Sequence, residues 1–272
     1  MSVPDPFLLA ACAVIGALAG ILGGMLGIGG GVIIVPALLL LFEATGMETT
    51  VAAPVAVATS LATIIATSVS AARAQLRRDS VDRAIVRRWT PALVLGGLGS
   101  GPLATRLPEP VLPWFIGAFL LSAALVMLSA WTPAPHRRLP AGAAGFGLGA
   151  SAGLVSGLAG IGGGNVIVPT LVWFNVPMRL AAGTSSTLGF PIAVAGTIGF
   201  AVAGLERTDL PPGTLGFVHV PAALALALAS FACAPLGVAL AHRIAAARLK
   251  RVFGLLLLLV SLRLLWSAVD AL

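Results

Sequence analysis

The sequence has few charged residues and no tyrosine. Only 9% of its 272 residues are Asp, Glu, Lys or Arg, whereas 58% are hydrophobic and the mean hydropathy is +1.06. Apolar runs follow one another along the whole chain, which excludes a water-soluble globular protein. The composition therefore indicates an all-α polytopic membrane protein whose surroundings are the lipid bilayer.

The chain also lacks the residue groups that catalysis and cofactor binding require. Its histidines, His136, His219 and His242, are far apart in sequence, and Cys12 and Cys233 fall inside apolar runs. There is no G-x-x-x-x-G-K-[ST] element for a nucleotide, and every acidic residue lies at a segment end or in a loop. We therefore expect no catalytic residues, no metal and no cofactor, and an intramembrane enzyme is disfavoured.

The net charge of +7 comes from arginines in short blocks between apolar runs. No aromatic residues interleave with these blocks, so we expect no nucleic-acid partner. Basic blocks between apolar segments orient membrane helices, since cytoplasmic loops carry the excess of Lys and Arg.

What the sequence does contain is an internal repeat. The pentad Gly-Ile-Gly-Gly-Gly at 27–31 returns at 160–164, and the pair Thr-Ser at 59–60 returns at 184–185. In a membrane protein, such a duplication is typical of transporters whose binding site lies between two related halves.

Breaks at glycine, proline and charge divide the chain into ten apolar segments, five in a first repeat (1–135) and five in a second (136–272). The second segment of each repeat would form only about 16 Å of helix, against a hydrocarbon core of about 30 Å. Each glycine pentad is therefore expected to break a helix and to begin a short half-helix. The segments are 7–22, 32–42, 51–74, 89–105, 111–132, 141–158, 165–174, 180–205, 217–241 and 252–269.

Two topologies fit these segments. If each glycine-broken pair is one interrupted helix, the repeats are parallel, with nine Lys and Arg inside and six outside. If each pair folds back as a hairpin, the repeats are inverted, with thirteen inside and two outside, and Arg263 lies within a span in both. The positive-inside rule favours inverted repeats. We expect a multi-pass protein of the inner (plasma) membrane, with both termini outside and the loop at 75–88 in the cytoplasm.

The glycine pentads are the candidate binding element. Consecutive glycines leave backbone N–H groups unobstructed, and the N-terminus of a helix adds a positive dipole end, so together they favour a negative charge. The alternative is that these glycines only permit close helix packing, which we favour for the ladder at 145, 149, 153 and 157. The candidate backbone donors are Gly27, Gly29, Gly30, Gly31, Gly160, Gly162, Gly163 and Gly164.

Polar side chains near the pentads add candidate ligands. Hydroxyls can donate to an oxyanion without adding fixed charge, although back-bonding to a carbonyl one turn earlier is the common alternative. Asn165 takes the place of Val32 of the first copy, and Arg73 and Arg263 are the candidate charge partners near membrane depth. The candidate hydroxyl residues are Thr59, Ser60, Thr184, Ser185 and Ser186.

At these residues the chain resembles the TauE/SafE family of sulfite and organosulfonate exporters. The resemblance rests on the G-x-G-G-G-x-x-x-V-P element at 27–36 and 160–169, on the Thr-Ser pairs, and on the RRDSVD stretch at 77–82. It implies a plasma-membrane protein that moves small sulfur-containing anions, usually outward.

These features together predict a secondary transporter that exports a small anion. Export of a monovalent anion from an inside-negative cell is downhill by about 2.3 kcal/mol per 100 mV, so no mid-span carboxylate is needed for coupling. An anion channel and a carrier of another small oxyanion stay open as alternatives, and so does the oligomeric state.

Overall fold

A computed structural model describes residues 6–26, 30–108, 111–129, 139–241 and 246–270. The ten predicted helical segments are confirmed as ten helices in these ranges, so the protein is all-α apart from one short hairpin. The helices are α1 (Pro6–Leu26), α2 (Gly31–Ala44), α3 (Thr49–Leu76), α4 (Arg83–Ala104), α5 (Val111–Leu128), α6 (Gly142–Leu158), α7 (Gly164–Trp173), α8 (Met178–Ala203), α9 (Val220–Ala241) and α10 (Ala246–Asp270).

Helix lengths agree with a protein that lies in a membrane. Among the described residues, α3, α5 and α8 are long and apolar enough to cross a bilayer. By contrast α2 has 14 residues and α7 has 10, which is about 21 Å and about 15 Å of helix. The two predicted short half-helices are therefore present, each directly after a glycine pentad.

The start of α4 differs from the prediction. The apolar segment was expected at 89–105, but the helix begins at Arg83 because Asp82 caps it. The carboxylate oxygen Oδ1 of Asp82 accepts hydrogen bonds from the N–H groups of Ala84 at 2.9 Å and Ile85 at 3.1 Å. A side-chain cap of this kind satisfies the free donors of a first turn, so the helix begins before the apolar segment does.

The stretch before α9 was also predicted incorrectly, as part of an apolar segment at 217–241. It contains an antiparallel hairpin of β1 (Thr214–Leu215) and β2 (Val218–His219). Gly216 turns the chain between the strands with φ +53°. A positive φ is easy only for glycine, and it lets the hairpin turn back before α9 begins at Val220.

The helices of the two repeats pack across one another. The most extensive contacts pair α1 with α9, α4 with α6 and α8, α3 with α8, and α5 with α10. Exchanging each helix with its equivalent in the other repeat converts α1–α9 into α6–α4 and leaves α3–α8 and α5–α10 unchanged, whereas α4–α8 becomes α9–α3, which is a less extensive contact. The packing therefore has the pattern of an approximate two-fold relation between the repeats.

The predicted glycine ladder of α6 is confirmed as a packing surface. A Cβ placed on Gly149 would lie 2.9 Å from the Cβ of Ala92, and one on Gly157 would lie 2.7 Å from the Cβ of Ser100. The contact moves from Ala92 to Ser100 on α4 as it moves from Gly149 to Gly157 on α6, so the two helices run parallel. The equivalent helices α1 and α9 make the same kind of contact, in which Ser230 Oγ donates to the carbonyl oxygen of Gly16 at 2.7 Å.

The helices that pair with their own equivalents run antiparallel. A Cβ on Gly196 of α8 would lie 2.8 Å from Leu61 Cδ1 of α3, and one on Gly189 would lie 3.7 Å from Ser68 Cβ. Residue numbers along this contact rise on α3, from Leu61 to Ser68, as they fall on α8, from Gly196 to Gly189. In α5 and α10, Gly117 is beside Leu265 while Gly254 is beside Leu128, so this pair is antiparallel too.

Candidate functional site

Two glycines give the repeats the same backbone conformation at the same place. Gly30 precedes α2 with φ +68°, and Gly163 precedes α7 with φ +81°. Residues with a Cβ rarely adopt this left-handed conformation, so the duplicated glycines are required by the backbone. Gly27 and Gly29 lie outside the described residues, and Gly160 also has a positive φ, +69°.

The glycine elements of the two repeats contact each other in the buried interior. A Cβ placed on Gly31 would lie 3.0 Å from the carbonyl oxygen of Gly160 and 3.2 Å from the Cα of Ile161. Ile64 of α3 touches both elements, since its side chain would lie 2.7 Å from a Cβ on Gly31 and 2.9 Å from one on Gly162. The structure thus brings the two predicted binding elements together against α3.

Close packing is also part of what these glycines do. A Cβ on Gly160 would lie 2.6 Å from Val35 Cγ2, and one on Gly163 would lie 2.8 Å from Ile167 Cδ1. Bare backbone and tight packing therefore coexist at the same residues, and substitution by alanine affects both.

The hydroxyl of Ser60 joins α3 to the second glycine element. Its Oγ is buried and donates to the carbonyl oxygen of Gly160 at 2.8 Å. This bond fixes the point where the chain leaves α6 and turns toward α7.

Thr59 and Thr184, equivalent residues of the repeats, each hold the other repeat. The Oγ1 of Thr59 accepts from the backbone N–H of His219 at 3.0 Å, and that of Thr184 accepts from the backbone N–H of Asp82 at 2.9 Å. We call these two hydrogen bonds the cross-repeat clamps. Both threonines are fully buried, and within the described part of the chain neither hydroxyl donates its proton.

The residues held by the clamps are equivalent as well, because each immediately precedes a helix and caps it. His219 Nδ1 accepts from the N–H of Ala222 at 3.2 Å in α9, as Asp82 does in the first turn of α4. Each clamp therefore positions the start of a helix that belongs to the opposite repeat.

The Thr-Ser pairs do not converge on one point. In the antiparallel packing of α3 on α8, Leu61 is level with Gly196 and Ser68 with Gly189. Thr184 is therefore level with the last turn of α3, about 20 Å along the helix axis from Thr59. The structure separates the predicted hydroxyl ligands into two groups, one on each side of the centre.

Two predicted ligands have polar atoms that make no hydrogen bond with any described residue. These are Ser185 Oγ and Asn165 Nδ2, both buried. Asn165 lies in the first turn of α7. Ser186, in contrast, donates to the carbonyl oxygen of Ala182 at 2.9 Å, which is the back-bonding alternative.

The predicted charge partners lie away from the glycine elements. Arg73 is exposed in the last turn of α3. Arg263 Nη2 lies 3.7 Å from Glu43 Oε2. Glu43 is twelve residues beyond Gly31 in α2, which places this ion pair about 18 Å from the start of that helix.

Sequence reasoning missed four polar residues. Asp82 and His219 cap helices, and the buried polar atoms Trp89 Nε1 and Ser156 Oγ have no hydrogen-bond partner among the described residues. Of these, only Asp82 carried a usable signal, since Asp is a preferred capping residue.

Comparison with known proteins gives a family. The model of the family described as "Sulfite exporter TauE/SafE" matches residues 12–264. A Haemophilus influenzae protein named "Probable membrane transporter protein" is 29% identical over 93% of this chain and 96% of its own length. The Bacillus subtilis "Probable membrane transporter protein YunE" is 26% identical over 74% of this chain and 82% of its own. No solved structure matches the chain.

Proposed function

The chain belongs to the sulfite exporter TauE/SafE family, and we propose that it is a secondary transporter that carries small sulfur-containing anions outward across the inner membrane. Membership and the names of its relatives make it a membrane transporter with a small-molecule substrate. Sulfite and organosulfonates are the cargo that the family description suggests, and the chemistry of the site supports an anion.

One observation carries this proposal: both repeats present a left-handed glycine followed by a helix N-terminus, and the two elements contact each other in the buried interior. Unobstructed N–H groups and the positive ends of α2 and α7 favour a negative charge there. The proposed donors are the backbone N–H groups of Gly30, Gly31, Gly162 and Gly164, with Gly27 and Gly29, and the side chains of Asn165 and Ser185. Ser186 and Ser60 are left out because their hydroxyls already donate to the carbonyl oxygens of Ala182 and Gly160. Gly160 and Gly163 are left out because their N–H groups donate to the carbonyl oxygens of Gly157 and Ile161. Thr59 and Thr184 are left out because they lie about 20 Å apart along the helix axis.

The repeats are proposed to be inverted, with both termini outside. Antiparallel packing of α3 on α8 and of α5 on α10 supports this, because helices equivalent under a two-fold rotation run antiparallel when the axis lies perpendicular to them. Inverted halves around a central site are a common architecture of secondary transporters. The two clamps then lie toward opposite membrane surfaces.

The experiment is flux and binding with the purified protein in liposomes. Sulfite, thiosulfate, sulfoacetate, sulfate and phosphate are supplied in turn, with protein-free liposomes as the control. We expect saturable uptake of a sulfur-containing anion that is accelerated by the same anion inside. Flux that rises linearly with concentration, without counterflow, would identify an anion channel instead, and no flux with any of these anions would overturn the proposal.

A further inference from the structure

Four buried polar atoms with no hydrogen-bond partner among the described residues lie in one part of the protein. They are Trp89 Nε1 on α4, Ser156 Oγ on α6, Asn165 Nδ2 on α7 and Ser185 Oγ on α8. Trp89 and Ser185 are each 1% exposed, and Ser156 is 0% exposed. An indole N–H usually finds a partner when it is buried, so four such groups together need an explanation.

The four helices that carry these groups form one bundle. Trp89 belongs to a buried cluster with Ala152 of α6, Ile167 of α7 and Ile192 of α8. Gly163, the cap of α7, sits against the same two isoleucines, since its Cβ would lie 2.8 Å from Ile167 Cδ1 and 2.9 Å from Ile192 Cδ1.

Helix register places the groups on either side of the second glycine element. Gly97 of α4 is beside Ile192 and Ala195 of α8, so Trp89, two turns earlier on a parallel helix, is level with about residue 186. Gly157 of α6 is beside Ser100 of α4, which puts Ser156 level with about residue 195. Trp89 and Ser185 are therefore level with each other, whereas Ser156 lies about ten residues of α8, or about 15 Å, further along the bundle, with the second glycine element between them.

This polar set contains no formal charge. None of the buried side chains in the described ranges belongs to Lys, Arg, Asp or Glu. The indole and amide nitrogens can only donate, and the hydroxyls can donate as well. The desolvation cost of an ion grows with the square of its charge, so neutral donors without a countercharge compensate one negative charge far better than two.

We propose that the Trp89 indole N–H and the Ser156 hydroxyl are further anion donors, and that this uncharged donor set selects singly charged oxyanions. The inference rests on the proposed function and adds to it two binding residues and a charge class. Asn165 of α7 and Ser185 of α8 are already among the proposed donors. Trp89 of α4 and Ser156 of α6 are added to them here.

The test measures dissociation constants of methanesulfonate and sulfate, two tetrahedral sulfur oxyanions of one and two charges, with the purified full-length protein. Wild type should bind methanesulfonate more tightly than sulfate by about tenfold or more. Trp89→Phe and Ser156→Ala should each weaken methanesulfonate binding by about 5- to 150-fold. The control for Ser156→Ala is Ser151→Ala, since Ser151 is an exposed residue of the same helix that donates to Leu148. The control for Trp89→Phe is Trp266→Phe at an exposed residue of α10.

The outcomes separate this inference from the proposed function. Wild-type binding of a sulfur oxyanion with unchanged affinity in both variants would overturn the two added donors and leave the transporter proposal standing. Sulfate bound as tightly as methanesulfonate would overturn the charge class. No anion binding by wild type would overturn the proposed function and this inference together. If Trp89→Phe does not fold, Ser156→Ala decides the question.

Discussion

Adjacent serines of α8 have hydroxyls in different surroundings. Ser185 Oγ is buried and makes no hydrogen bond with the described residues, whereas Ser186 donates to the carbonyl oxygen of Ala182 at 2.9 Å. A hydroxyl already bonded one turn back along its own helix has little left to offer a substrate. The pair is therefore an internal comparison for anion binding at this helix.

We expect Ser185→Ala to weaken anion binding by about 1–3 kcal/mol, or about 5- to 150-fold, because a matched donor is lost. Ser186→Ala should leave the affinity unchanged. Dissociation constants for sulfite and one organosulfonate measure both. An equal loss of affinity in the two variants, or none in Ser185→Ala, would show that Ser185 is not a ligand.

The capping glycines differ in the room around them. Gly30→Ala and Gly163→Ala both place a Cβ in a left-handed conformation, at about 1–2 kcal/mol. At Gly30 the nearest atom would be 3.4 Å away, but at Gly163 the ends of Ile167 and Ile192 would have to shift from 2.8 Å and 2.9 Å. We expect Gly163→Ala to lower the unfolding temperature in detergent more than Gly30→Ala.

Gly147→Ala is the control for these two variants. Gly147 lies within α6, and a Cβ there would have no atom within 4 Å, so stability should be unchanged or slightly higher. Equal destabilisation by Gly30→Ala and Gly163→Ala would mean that crowding at Gly163 has no energetic effect.

At the scale of elements, the cross-repeat clamps decide where α4 and α9 begin. Thr184 and Thr59 hold the N–H groups of the capping residues Asp82 and His219. Each clamp fixes the residue before a helix of one repeat through a threonine hydroxyl that lies within a helix of the other repeat. Arg179 reinforces the first of these contacts, since its Nη2 donates to the carbonyl oxygen of Arg78 at 2.8 Å.

Thr184→Val and Thr59→Val should each lower the free energy of unfolding by about 1–3 kcal/mol, because an N–H group loses its acceptor. Thr187→Val is the matched control. Thr187 Oγ1 donates to the carbonyl oxygen of Gly183 at 3.0 Å within the same helix, so its loss should cost less than about 0.5 kcal/mol. Denaturant unfolding in detergent measures all three. Clamp variants as stable as Thr187→Val would contradict the structural role of the clamps.

Element number and order were predictable from the sequence because apolar runs, glycines and charges mark membrane helices clearly. The start of α4 was not, because its first two turns carry Arg83, Arg87 and Arg88 and have the composition of a loop. The hairpin before α9 was missed because Phe217 and Val218 extend the apolar run of the helix.

The candidate site was predictable only in part. Duplication identified the glycine caps and the Thr-Ser pairs, but it did not show that the threonine oxygens accept hydrogen bonds from the opposite repeat. Trp89 and Ser156 gave no signal, since a single tryptophan or serine in an apolar run is common. Their polar atoms stand out only once the surrounding helices are in place.

At the scale of the whole molecule, the proposed inverted arrangement predicts which loops face each side. The loop after α8 carries Glu206 and Asp209 with a single arginine, Arg207, whose Nε donates to Asp209 at 2.8 Å. This hydrogen bond lowers the pKa of Asp209. The loop therefore has little positive charge to hold it in the cytoplasm.

We expect Thr208→Cys, in a variant without Cys12 and Cys233, to react with an impermeant thiol reagent in intact cells. Arg77→Cys in the loop before α4 should react only after the membrane is opened. The measurement is the labelled fraction of each variant before and after permeabilisation. Protection of Thr208→Cys in intact cells would rule out the inverted topology with both termini outside.

Packing of α1 on α9 also bears on how the chain is made. The hydrogen bond from Ser230 to Gly16 joins residues 214 positions apart, so at 5–20 residues per second the ribosome needs about 10 to 40 s to supply the partner. During that time α9 has not yet been made, so the glycine face of α1, with Gly16 and Gly20, lacks the helix that covers it in the finished protein. Helix α1 therefore leaves the ribosome well before α9, the helix against which it packs in the finished protein.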